Sequence, residues 1–152
     1  MIAVIPPHHV FLGYCNGALL KKDCAYFSRK RLASIVVPVQ KNGAIATGKQ
    51  PDGRNITVID LDVEEGKPAL PFDLLDPVSR STFVVQTPRG GLHVYFYTET
   101  EIDSAKLIAA KNPLVEHVDR RGLSGLIFAP GCTFANPEHA GKSYIIALDQ
   151  PI

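Results

Sequence analysis

The sequence contains no tryptophan, one methionine and three cysteines, Cys15, Cys24 and Cys132. An odd number of thiols with no CxxC pair argues against a disulfide framework and favours a reducing, intracellular (cytoplasmic) setting. His8 and His9 lie near Cys15 and Cys24, but their spacing fits no standard zinc set. No apolar run approaches the ~18 residues of a membrane span, and the N-terminus lacks a basic-then-apolar signal pattern. Low charge is not the mark of disorder here: 45% hydrophobic and 20% charged residues over 152 positions predict one folded domain with a proper core.

The chain also lacks a net charge worth the name, at +1, yet its charge is unevenly spread. Residues 1–56 carry eight Lys/Arg against Asp23 and Asp52, a net +6, and residues 57–152 carry eight basic against thirteen acidic, a net −5. A basic lobe beside an acidic one suits a nucleic-acid path next to a metal pocket, although solvated helix faces give the same count.

What is present centres on residues 56–62, Ile-Thr-Val-Ile-Asp-Leu-Asp, an apolar run preceded by turn residues and so a predicted buried strand. Asp60 and Asp62 share one face of it, about 6.6 Å apart at ~3.3 Å per residue. Two buried anions that close repel each other, and a divalent cation relieves both; hard carboxylate oxygens suit Mg²⁺ or Mn²⁺. The alternative is a strand that simply runs into solvent.

Around this strand the pattern predicts a helix over 22–35 and a hairpin of 35–39 with 44–47 about Asn42-Gly43. Residues 48–55 read as loop, and 63–80 as a proline-rich connection with one helical turn. Strands 82–86 and 92–97 form a hairpin across Thr87-Pro88-Arg89-Gly90-Gly91. A helix follows at 103–110, then a strand over 114–118 ending at Asp119, its partner at 125–129, and a closing strand at 143–148. Residues 1–42 have little assignable pattern, and 43–145 carry the motifs. The order predicts an α+β fold, a mainly antiparallel sheet flanked by helices.

Four features fall at predicted strand ends: the Asp60/Asp62 pair, the Arg89-Gly90-Gly91-Leu92-His93 hairpin, Asp119, and the Arg120-Arg121-Gly122 that follows it. Asp119 would add a third carboxylate to Asp60 and Asp62, unless it pairs with Arg120 or Arg121. In the 87–91 turn, Gly90 and Gly91 leave backbone amides open to phosphate oxygens, and Arg89 offers a fork-shaped donor. His93 follows on the same hairpin. Together these read as a triphosphate cradle facing a metal site.

In order and spacing, Asp60-Leu61-Asp62, Gly90-Gly91-Leu92-His93 and Val118-Asp119 resemble the three motifs of archaeo-eukaryotic-type primases. The resemblance is nearest to the bifunctional primase-polymerase domains of plasmid, phage and viral replication proteins. Residues 44–48 and 55–58 support it before the first motif, as do Arg121-Gly122, Gly125, Ala129-Pro130 and Tyr144 after the third. It implies an RRM-like catalytic core and template-directed nucleotidyl transfer, as DNA primase or DNA polymerase, with Mg²⁺ or Mn²⁺. By this resemblance Asp60, Asp62 and Asp119 hold the catalytic metals, His93 contacts the triphosphate, and Arg89 and Arg121 bind phosphate. The implied partners are a single-stranded DNA template, a primer, nucleoside triphosphates and a helicase domain or protein. The sequence departs from the pattern at Gly91, where relatives often carry a small hydroxyl residue, and at Gly131-Cys132, where serine is common. The same carboxylates would also suit a metal-dependent nuclease, and the basic lobe a non-catalytic replication-initiator module.

Overall fold

The computed structural model describes residues 11–15, 18–19, 43–50, 52–107, 113–132 and 141–152. Its centre is β5 (Asn55–Asp62), which is buried along most of its length and pairs antiparallel with β7 (Leu92–Thr98) on one edge and β9 (His117–Arg121) on the other. β6 (Val84–Gln86), β8 (Ala105–Leu107) and β11 (Ile145–Leu148) extend the sheet to the order β11-β6-β7-β5-β9-β8, and β4 (Gly48–Lys49) caps the start of β5. A smaller sheet has the order β10-β3-β1-β2, built from β1 (Phe11–Cys15), β2 (Ala18–Leu19), β3 (Gly43–Ala46) and β10 (Leu126–Phe128).

Strand alternation gives β5 two working faces. Ile59 and Leu61 turn to one core, with Val63, Leu70, Leu75, Leu92 and Val94, beneath the connection that follows β5. Ile56 and Val58 turn to the other, with Tyr95, Val85, Ile45 and Ile127, where the small sheet packs on the large one. Asp60 and Asp62 continue that second face, so the apolar seam between the sheets ends in carboxylates.

The 82–86/92–97 hairpin forms as predicted, and the connection after β5 holds two 3₁₀ turns, Phe72–Leu74 and Ser79–Ser81. Among the described residues there is no α-helix, so the flanking helices of the expected α+β fold are not seen. The one at 22–35 lies outside the described residues. At 103–110 the chain instead forms edge strand β8 against β9, with residues beyond 107 outside the described set. Its polar groups are claimed by that neighbourhood: Gly122 N donates to Ser104 Oγ and Leu123 N to Ile102 O. Isolated helices this short are marginal, and tertiary hydrogen bonds override the local pattern.

Two pairings also differ. Residues 125–129 do not return along β9; Ser124 at φ 57° and the Thr47 hydroxyl, donating to Gly122 O at 2.6 Å, turn the chain so that β10 joins β3. Both edges of β3 are thereby taken, by β1 and β10, and the expected hairpin partner at 35–39 lies outside the described residues.

Candidate active site

The register of three strands assembles the site. Asp60 stands opposite His93 of β7 and opposite Asp119 of β9, and directly opposed residues in antiparallel strands have Cα atoms about 4.5–5.5 Å apart. Asp62 and Arg121 lie two residues along from Asp60 and Asp119, on the same face. Asp60, Asp62, Arg89, His93 and Arg121 line a cleft of about 410 Å³, closed on the small-sheet side by Leu126–Phe128 and Tyr144. Asp119 is not among the cleft-lining residues. Its carboxylate is held by Arg121, Nη2 to Oδ2 at 2.7 Å, and the same nitrogen lies 3.4 Å from Asp60 Oδ2. The sequence alternative, an aspartate paired with its neighbouring arginine, thus holds together with proximity to Asp60.

Asp60 is only 6% exposed, and burial alone would raise its pKa; the His93 imidazole and the Arg121 guanidinium outweigh this and hold the carboxyl below its ordinary 3.8. Asp62 goes the other way: burial, then the charge of Asp60, pushes it up. The signs make a test. A depressed carboxyl stabilises the fold above its ordinary pKa and loses that contribution as pH falls through the folded value; a raised one is a liability once ionised. In EDTA at pH 7, Asp60→Asn should therefore melt lower than the parent and Asp62→Asn higher. Equal shifts of one sign in thermal melts would show that the two carboxylates are not set against each other.

His93 is buried, its Nε2 3.3 Å from Asp60 Oδ1, and its Nδ1 has no hydrogen-bond partner among the described residues. Its ring faces Tyr144, centroids 5.5 Å apart. Tyr144 in turn stacks on Phe128 and is fixed by two backbone bonds, Tyr144 N to Cys132 O and Gly131 N to Tyr144 O. In the sequence Tyr144 only supports the resemblance, and nothing there places it against His93 or on Phe128.

The 87–91 turn corrects one expectation. Gly90 N donates to Thr87 O and Gly91 N to Thr87 Oγ1, both at 2.9 Å, so neither amide is open to phosphate. Gly91 is required for another reason: a Cβ there would strike the Leu61 carbonyl oxygen of β5. Thr87, overlooked in the sequence, is the residue that closes the turn. Arg89 reaches Val63 O at 3.2 Å and Glu116 at 3.6 Å, at the mouth of the cleft.

The donor chemistry fits a hard divalent cation at Asp60 and Asp62. Asp60 Oδ1 meets the His93 imidazole at 3.3 Å without hydrogen-bond geometry, and the Asp62 carboxylate has neither hydrogen bond nor ion pair, among the described residues. Carboxylate oxygens are what Mg²⁺ and Mn²⁺ take. No three such groups stand gathered as a ready ligand set among the described residues, because Arg121 already occupies the space between Asp60 and Asp119.

Two comparisons bear on this cleft. A family model described as the N-terminal domain of bifunctional DNA primase/polymerase matches residues 28–152. No curated protein matches the chain.

Proposed function

The chain belongs to the bifunctional DNA primase/polymerase family, and on that premise we propose that it joins nucleotides on a single-stranded DNA template, as primase, polymerase or both. The observation that carries this reading is the meeting of Asp60, Asp62 and His93 with Arg89 and Arg121 in one cleft, carboxylates beside cations suited to phosphate. Asp60, Asp62 and, once released by Arg121, Asp119 would hold Mg²⁺ or Mn²⁺. When bound, the cation supplies neutralisation of the triphosphate and of the attacking oxygen. His93, held by Asp60 and Tyr144, is oriented toward triphosphate oxygens. Arg89 and Arg121 bring planar donors suited to phosphate. The turn built by Gly90 and Gly91 keeps the hairpin close to β5, and with it the distance from imidazole to carboxylate.

In this reading residues 1–152 are a single catalytic domain, the β5–β7–β9 sheet its RRM-like core, acting in an intracellular replication complex with a helicase. Among the described residues no helix is long and apolar enough to cross a membrane. The test combines protein, single-stranded template, labelled nucleotides and Mn²⁺, with and without primer. Template-dependent product is expected. Strand degradation with metal alone would point instead to a nuclease, and oligonucleotide binding without either reaction to a non-catalytic module. His93→Ala should weaken nucleotide binding about tenfold, the loss of one charge-assisted hydrogen bond. An unchanged dissociation constant would remove His93 from the site.

A further inference from the structure

Behind the 87–91 turn lies a second groove, about 380 Å³, lined by Lys67, Arg89 and Lys142 with Gln86, Ser143 and Ile145. Among the described residues no acidic side chain lines it. Thr87, Pro88 and Arg89 are common to this groove and the cleft, so the turn is a shared wall between them. The wall is firm: Leu70 N donates to Gly90 O at 2.8 Å, and Ala69 packs so closely on Gly90 that a Cβ there would sit 2.8 Å from Ala69 Cα.

From these features we infer that the groove carries the sugar-phosphate backbone of a single nucleic-acid strand where it passes the catalytic cleft. The inference rests on the template-directed reading and adds to it a place for the strand. Phosphate is the shared chemistry of two sources, a strand backbone and the free triphosphate, and the layout favours the strand. The three cations come from separate segments, the connection after β5, the hairpin turn and the approach to β11, and all three line the groove. Lys67 and Lys142 are exposed point charges on flexible stems, which suit spaced phosphates. Ile145, 51% exposed, offers sugar and base an apolar surface in the same groove. At the rim, Lys67 and Arg89 each have a glutamate, Glu64 at 3.8 Å and Glu116 at 3.6 Å; such exposed pairs are worth little in water and yield readily to phosphate.

The test is binding of labelled oligothymidine to the whole chain in EDTA, by fluorescence anisotropy across a salt series. Single strands release about 0.7 counterion per neutralised phosphate, so Lys67→Gln with Lys142→Gln should lower the slope of log affinity against log salt by about 1.4. At 0.1 M salt that is roughly a 25-fold weaker complex. Both side chains are exposed, and an unchanged thermal midpoint will show that the double variant is folded. A parental slope in a folded variant would overturn the groove while leaving the catalytic reading in place. So would a loss confined to free nucleoside triphosphate, which would assign the cations to the other source. If the parent chain binds no oligothymidine at all, both readings fall.

Discussion

Asp60→Asn should reduce template-directed incorporation by on the order of 10³-fold, the loss of several kcal/mol of charge stabilisation, with oligonucleotide affinity nearly unchanged. The substitution keeps the shape of the side chain, removes its charge and turns one acceptor oxygen into a donor. That charge sits at the crossing of the site, opposite His93 on one strand and Asp119 on the other, with Arg121 3.4 Å away. Without it the imidazole loses its anionic neighbour and the cation loses its most buried ligand. Arg121 keeps its 2.7 Å contact with Asp119 and has less reason to release it. The groove behind the hairpin is untouched, which is why strand binding should survive. Primer extension with Mn²⁺ measures the first effect, and calorimetric titration of Mn²⁺ without nucleotide measures the loss of cation binding. Extension at the parental rate would end the metal assignment.

The central strand was legible because its signals are local: turn residues, an aliphatic run, and two carboxylates at a spacing of two. The hairpin after it was legible for the same reason. What brings the site together is register, and register is long-range. Nothing near Asp60 in sequence says that it faces His93 rather than Val94, a slip of one residue that would turn every side chain to the other face. The motif resemblance supplied the members of the site without their arrangement. Asp119 shows the limit well. Residues 114–118 suggested a strand ending there, but Leu114 and Val115 pack into the core beneath the connection after β5, and the pairing begins with Glu116 N on Asp62 O. Asp119 therefore lies in the middle of β9, beside Arg121.

The charge reading rests mostly on residues outside the described set. The net +6 of residues 1–56 suggested that the strand path would lie there. Of its eight cations, the six between Lys21 and Lys41 lie outside the described residues. Among the described residues the cations lining the cleft and the groove, Lys67, Arg89, Arg121 and Lys142, all come from the acidic half of the chain. Net charge per segment averages over faces that folding separates, and a few cations on one side of a turn outweigh many acids elsewhere.

Gly91→Ala should lower the melting midpoint by roughly 6–12 °C, on the order of 3 kcal/mol at about 2–4 °C per kcal/mol for a chain of this size. The backbone of Gly91 is held on three sides: its carbonyl accepts from Thr87 N, its amide donates to Thr87 Oγ1, and Leu92 beside it pairs with Leu61. The added methyl would meet the Leu61 carbonyl oxygen, a backbone atom fixed in the centre of the sheet. Relief requires β7 to move away from β5, one rung from the pair Asp60 and His93. Activity should consequently fall further than stability, although residue 91 offers no side chain to the reaction. The two effects separate by temperature: well below the lowered midpoint the variant is folded yet slow, because the imidazole no longer sits against the carboxylate. A variant that melts with the parent would mean that β7 and β5 are not in the close contact on which the geometry of the site depends.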